Sequence, residues 1–488
     1  MKTRNAAFLL GPLALAAWAC AGVKAPAPQA TVVTIYVTQR HQTIEGFGTC
    51  LVSWEPEMAR WYERPETVRM FAQDMGLNIL RCNLWGDGTI GPTANADSIS
   101  YRDPAFAKSD PRTPVFLKFA QAVRKLNPDL KVIGTVWSPP AWMKANGKIT
   151  DDGAGGIDGA TYQQDKNGAK VECLNRVKPD RYPHFAKWLT EMVRYYEANG
   201  VPMYAVSAAN EPQFTQGFES CVWTATDLAK ISGMTGDALK KAGLGRVKLF
   251  GPETMTGFNW EGGPNRRYVQ AFRDDPAAWS ALGFYASHGY TDGVSPDVSS
   301  NSSAQFWSIV AKDDKPYWVT EGGTGGHAWP EPVRQKGVGI AIHNALVAGN
   351  ASAFVPWQFA EGDPSEHALT VKDHLDKKGQ VVRQYARFIP AGSVRVDATP
   401  GYGDLNVSAF TKGKDLTVVL LNPKASPKRV SLDLKGLSTL AALNVVRTSA
   451  TEDGAVLPPL RVTAGRATVD VPGDAIVTLT TLAIPPRN

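Results

Sequence analysis

The chain predicts an α/β fold, a (β/α)8 TIM barrel with an appended antiparallel β-sandwich domain. Three observations carry this expectation. Short apolar segments recur through the first four-fifths of the chain. Stretches with helical periodicity separate them, and alternation of this kind points to a parallel sheet buried on both faces. From about Phe388 the texture changes to closely spaced strand-length runs.

The first element is a targeting pattern. Lys2 and Arg4 precede an apolar run from Ala6 to Ala19, and Ala17-Trp18-Ala19 is a small-x-small cleavage pattern before Cys20. Residues 1–19 therefore read as a signal peptide for a secreted, periplasmic or cell-surface protein. The same spot resembles a bacterial lipobox, so membrane attachment enters only through a lipidated Cys20. An Ala/Pro linker, 20–30, follows. Residues 31–40, rich in β-branched residues over Thr31–Val37, are expected to supply an N-terminal strand to the sandwich.

The barrel is expected over 41–387. Its eight apolar segments are 44–54, 78–85, 131–140, 203–213, 248–254, 281–290, 315–323 and 352–360. Between them, 182–197 repeats apolar residues at spacings of three and four, with Pro183 in the first turn and Asn199-Gly200 at the end. Segments 65–75 and 115–126 read as helices in the same way. Eight such units fit a barrel with enlarged loops. A doubly wound open sheet would instead place a glycine-rich phosphate turn after the first strand, and none is present. Over 388–488, runs at 416–421, 429–434, 443–447, 467–471 and 475–482 are rich in Val, Leu and Thr. Gly/Pro/Lys turns separate them, as in an antiparallel sandwich.

Composition narrows the function. The chain has 488 residues and a net charge of +6, with no Lys/Arg block, so no nucleic-acid partner is expected. Its seven His form no His-Glu-x-x-His pattern and its five Cys no paired Cys-x-x-Cys, so no metal site and no cofactor are expected. A Gly-x-Ser-x-Gly elbow is lacking. Gly322-Gly-Thr-Gly-Gly326 lacks the Lys-Ser/Thr of a phosphate loop and reads as a rim loop. Cys173 and Cys221 are the candidate disulfide, because both fall in long loops flanking one strand. Closing that loop would stabilise the fold by roughly 4 kcal/mol.

Polar residues end the barrel strands, where barrels do their chemistry. Glu211 closes the fourth segment and Glu321 the seventh. Arg81 lies in the second, Trp137 in the third, His288 and Tyr290 in the sixth, and Trp357 in the eighth. Two facing carboxylates can split an acetal, one protonating the leaving oxygen and the other attacking the anomeric carbon. The attacking one needs a cation and a phenol, such as Arg81 and Tyr290, and the acid a drier spot. Asn210 is placed to bond a sugar 2-hydroxyl, and Trp137 and Trp357 are candidate sugar platforms.

These residues sit in blocks that resemble the clan A retaining glycoside hydrolases, and among them family 30. The blocks are Glu45-Gly-Phe-Gly48, Trp137-Ser-Pro-Pro-Ala-Trp-Met143, Ser207-Ala-Ala-Asn-Glu-Pro212, Phe218-Glu-Ser-Cys-Val-Trp-Thr224, Trp318-Val-Thr-Glu321 and Arg387-Phe-Ile-Pro-Ala-Gly-Ser-Val394. The resemblance implies Glu211 as general acid/base, Glu321 as nucleophile and carboxylates about 5 Å apart. It also implies one sandwich shared by both ends of the chain, and a carbohydrate polymer or oligosaccharide as the partner. Xylan-cleaving members that depend on glucuronate carry an arginine after the eighth strand. Here 361–382 holds Lys372, Lys377 and Lys378 but no arginine. Xylan, β-1,6-glucan and β-1,6-galactan stay open. An exo-acting glucosylceramidase-like enzyme and a non-catalytic glycan-binding surface lipoprotein are the alternatives.

Overall fold

The computed structural model describes residues 30–52, 56–86, 90–106, 112–151, 162–164, 169–215, 217–258, 263–290, 301–322, 325–334, 336–365 and 367–484. Segment 1–19, Cys20 and Trp54 lie outside the described residues, and so does part of the Gly322–Gly326 loop.

Eight parallel strands close into a barrel: Gly46–Leu51, Ile79–Leu84, Lys131–Val136, Met203–Ser207, Lys248–Thr254, Leu282–His288, Tyr317–Glu321 and Ala353–Phe354. The eighth closes it on the first, with Ala353 opposite Gly46 and Phe354 opposite Phe47. Alternate side chains of each strand point inward. Ile79, Ile133, Ala205, Phe250, Phe284 and Trp318 fill the interior, and Phe284 stacks on Trp318 with ring centroids 4.1 Å apart.

Helices cover the outside. Tyr182–Ala198 buries Phe185, Leu189, Met192 and Tyr196 on one stripe, and Gly200, at φ +74, takes the left-handed turn that ends it. The expected helix over 65–75 is two pieces, Pro65–Arg69 and a wider π turn, Met70–Asp74. The Met75 N–H reaches back to the Met70 carbonyl at 2.8 Å, which sets that wider turn.

The second domain is one nine-stranded sheet. Its edge strands, Ala455–Arg461 and Arg466–Val471, are joined by residues 462–465 alone. Laid flat, nine strands would hold those edges roughly 38 Å apart. So short a link reaches about 17 Å. The sheet therefore rolls on itself, and its inner faces meet over Val33, Ile35, Val418, Leu432, Val445 and Leu479. Thr31–Thr43 lies antiparallel to Val394–Thr399 and parallel to Lys428–Lys435. The sheet is thus antiparallel, as expected, except for this one parallel pair. Thr31–Thr43 and Lys428–Lys435 are separated in sequence by the whole barrel, so no hairpin dictates their direction. Thr478 donates to the Gln384 carbonyl at 2.9 Å and Thr417 to the Phe388 carbonyl at 2.7 Å, tying the sheet to the last barrel helix, Lys377–Ala386, and the turn after it.

Candidate active site

Glu321 is the last residue of the seventh strand. Its Oε2 accepts from Arg81 Nη1 at 2.6 Å and its Oε1 from Tyr290 Oη at 2.6 Å. Both neighbours donate, so both oxygens accept, which is the bonding of a carboxylate. Arg81 shares the inward parity of Ile79 on the second strand, and its Nη2 donates to Asn210 Oδ1 at 2.7 Å. With its carbonyl oxygen held there, Asn210 has its NH2 directed elsewhere. The Arg81 guanidinium carbon also lies 4.6 Å from the centre of the Trp137 ring.

Glu211 stands four residues past the fourth strand, at φ 45. For a residue with a side chain this is a strained, left-handed conformation of the kind found at functional sites. Two backbone bonds hold it: Asn210 N–H donates to the Val136 carbonyl at 2.8 Å, and Glu211 N–H to the Glu253 carbonyl at 3.0 Å. Its Oε1 lies 3.0 Å from His288 Nδ1. Burial pushes the Glu211 carboxyl above its ordinary value, and the His288 hydrogen bond and charge only partly oppose this. The two glutamates meet: their oxygens and a His288 nitrogen lie within 4.8 Å of one another. Glu321 thus accepts from two strong donors, while burial favours the protonated form of Glu211.

His288 does not reach a substrate. It was expected among the substrate-binding residues, but it has no exposed surface, and neither has Arg81. Both lie behind the carboxylates, because the inward parity of their strands places them below the rim. Burial pushes the His288 imidazole down, yet Glu321, Glu211 and Glu253 together carry it up to about 9. Asn210, Tyr290, Trp137 and Trp357 lie closer to the opening. The Trp137 and Trp357 rings are 5.7 Å apart and inclined at 42°, with Trp357 the more exposed of the two.

The sequence reading missed Glu253. It is fully buried and lies 3.3 Å from Arg81 Nη2, while Thr135 Oγ1 donates to it at 2.7 Å. Burial pushes its carboxyl up, but Arg81, His288 and Thr320 outweigh that and bring it down to about 2. A carboxylate in Gly251-Pro252-Glu253-Thr254, closing the fifth strand, is the same signal that marked Glu211 and Glu321.

The expected disulfide is absent. Cys173 and Cys221 are free, buried thiols. Cys173 packs against Val222, whose N–H donates to the Asn175 carbonyl at 2.9 Å. Their loops are joined by other means, with Asn175 Nδ2 donating to Ser220 Oγ at 2.8 Å and Lys144 Nζ to the Ser220 carbonyl at 2.7 Å. Two of the three lysines after the eighth strand are also engaged. Lys377 pairs with Asp453 at 2.6 Å and Lys378 is buried, which leaves Lys372 exposed.

Glu211, His288 and Glu321 form the one group of three or more His, Cys, Asp or Glu among the described residues close enough to share an ion. The Arg81 guanidinium already supplies positive charge to Glu321 there, and a cation beside it would be repelled. The set suits acid–base chemistry better than metal binding.

Fold and site together define a (β/α)8-barrel protein with paired carboxylates at the carboxyl ends of its strands. No family model matches the chain. It is similar to the glucuronoxylanase XynC of Bacillus subtilis, 25% identical over 263 residues, which is 51% of this chain and 54% of that protein. It is also similar to the endo-1,6-β-D-glucanase neg1 of Aspergillus fumigatus, 27% identical over 159 residues, or 29% and 31% of the two chains. The chain thus spans about half the length of the first relative and a third of the second. Among solved structures it resembles the family 30 subfamily 8 xylanase Xyn30A of Clostridium acetobutylicum. The TM-score is 0.69 at 26% identity, over 92% of this chain and 98% of that one. The chain is related to the glycoside hydrolases of family 30.

Proposed function

We propose that the protein is an exported, retaining β-glycoside hydrolase that cleaves a neutral β-linked polysaccharide, xylan or β-1,6-glucan, by double displacement. Glu321 attacks the anomeric carbon while Glu211 protonates the leaving oxygen. The covalent glycosyl-enzyme on Glu321 is then hydrolysed by water that Glu211 activates. The carrying observation is the separation of the two carboxylates, within 4.8 Å at their nearest oxygens. That supports retention, since inverting pairs stand roughly 6.5–9.5 Å apart to admit a water.

Two further observations support the details. Asn210, held by Arg81, has its NH2 free of that bond to donate to a 2-hydroxyl as charge grows on the ring. The engagement of Lys377 and Lys378 leaves little cationic surface for an acidic branch, which favours a neutral backbone. Export rests on the leader-like pattern before Cys20. Incubation with xylans, β-1,6-glucan and β-1,6-galactan, followed by proton NMR of the first products, tests the reading. β-Anomer appearing first on xylan or β-1,6-glucan is expected. Initial α-anomer would overturn retention. Glycan binding without release of reducing ends would favour a non-catalytic role.

A further inference from the structure

We infer that Glu253 is a positioning residue of this centre, holding Arg81 and His288 in register with the two glutamates that act on the sugar. The inference rests on the hydrolase reading above and adds a third carboxylate to it. Glu253 has no exposed surface, so it touches no substrate. The chain nonetheless distorts itself to put a charge there. From inward Phe250, strict alternation would turn residue 253 outward. A register shift between Pro252 and Thr254, with Glu253 at φ 59, swings it into the barrel instead. Among the described residues Glu211 is the other glutamate held at such a φ, and two strained acidic residues side by side are the kind of outlier from which function is argued.

The contacts show what the distortion achieves. Arg81 Nη2 lies 3.3 and 3.4 Å from the two Glu253 oxygens, so the guanidinium is held from behind while Nη1 faces Glu321. His288 Nε2 lies 3.6 Å from Glu253 Oε1, which aims Nδ1 at Glu211. The Glu253 carbonyl takes the Glu211 N–H. A plain ion pair with Arg81 would need neither the His288 approach nor the backbone bond. The groups facing Glu253 are Cys50, Arg81, Thr135, Glu211, His288 and Thr320, one from each of six strands or strand ends.

The test is Glu253→Gln in the full chain, which keeps shape and removes charge. kcat and KM are measured from pH 3 to 9 on the polysaccharide that the wild type cleaves best, alongside thermal unfolding. We expect kcat to fall about tenfold or more with KM within about twofold. Removing a buried anion makes every neighbouring group release its proton more readily, so both limbs of the profile should move to lower pH. A merely structural role would lower the melting temperature and leave the profile in place. A folded variant with wild-type kcat and limbs overturns the inference. Should Glu253→Gln not fold, Thr135→Val decides, since it strips the carboxylate of its 2.7 Å donor and keeps its charge. A several-fold lower kcat at unchanged KM is expected, and wild-type kcat overturns the inference. A wild type that cleaves no polysaccharide would instead overturn the hydrolase reading.

Discussion

Arg81→Met is the most demanding perturbation of the site, because one fully buried guanidinium serves Glu321, Asn210 and Glu253 at once. Two routes give its cost. Removing one partner of a buried ion pair costs about 3–5 kcal/mol, since the other charge is left uncompensated. Of the same order is the net shift of Glu253, from an ordinary 4.5 to about 2, which burial opposes and which Arg81 shares with His288 and Thr320. A displacement of that size is worth about 3 kcal/mol at neutral pH. For a cooperative unit the size of the barrel, this lowers the melting temperature by about 4–7 °C.

The sign of the pH dependence follows from the same numbers. A carboxyl held below its unfolded value stabilises the protein fully above about pH 4.5, and that stabilisation is lost only as pH falls toward about 2. In Arg81→Met the freed carboxyl takes up a proton as the solution is acidified. The gap from wild type should therefore be widest near pH 8 and narrow toward pH 4. Calorimetry of both proteins across that range is the assay. Equal melting temperatures at pH 8, or a deficit constant from pH 8 to 4, would refute the placement of Arg81 as the counter-charge.

Glu211→Ala should slow a polysaccharide by about 10²–10⁴-fold but spare the glycosylation step of an aryl glycoside with a good leaving group, as pre-steady-state kinetics would read. Equal loss on both substrates in that step would remove Glu211 from the acid role. His288, carried up to about 9, contributes stability that is complete below about pH 6.5 and lost as pH rises through 9. Thermal melts should show an alkaline decline in the wild type that His288→Gln lacks. Trp357→Ala should raise KM about tenfold with a smaller effect on kcat if its ring is a sugar platform. An unchanged KM would assign it to packing alone.

The legible parts of the fold were those with strong periodicity. Tyr182–Ala198 and the eight apolar segments stand within a few residues of where the pattern puts them. Ala455–Arg461 was not visible, because Pro458 and Pro459 argue against a strand. It is an edge strand, where one proline can face away from the ladder, and the register irregularity opposite Pro458-Pro459 accommodates the other. Glu211 and Glu321 were legible because strand ends are where barrels place chemistry. Glu253 ends a strand too, but its full burial behind Arg81 is set by contacts between strands that the sequence does not display. The burial of His288 beneath the carboxylates, and the failure of Cys173 to meet Cys221, are decided by long-range register. Spacing along the chain carries no trace of either.

The most direct measurement is to trap the intermediate. The enzyme is incubated with a 2-deoxy-2-fluoro glycoside of the sugar it cleaves best, digested, and mapped by mass spectrometry, with Glu321→Ala as the control. The expected result is one fluoroglycosyl adduct on Glu321, and none in the control. An adduct on Glu211 or Glu253, or an active enzyme that yields inverted product and no adduct, would contradict the assignment of Glu321 as nucleophile.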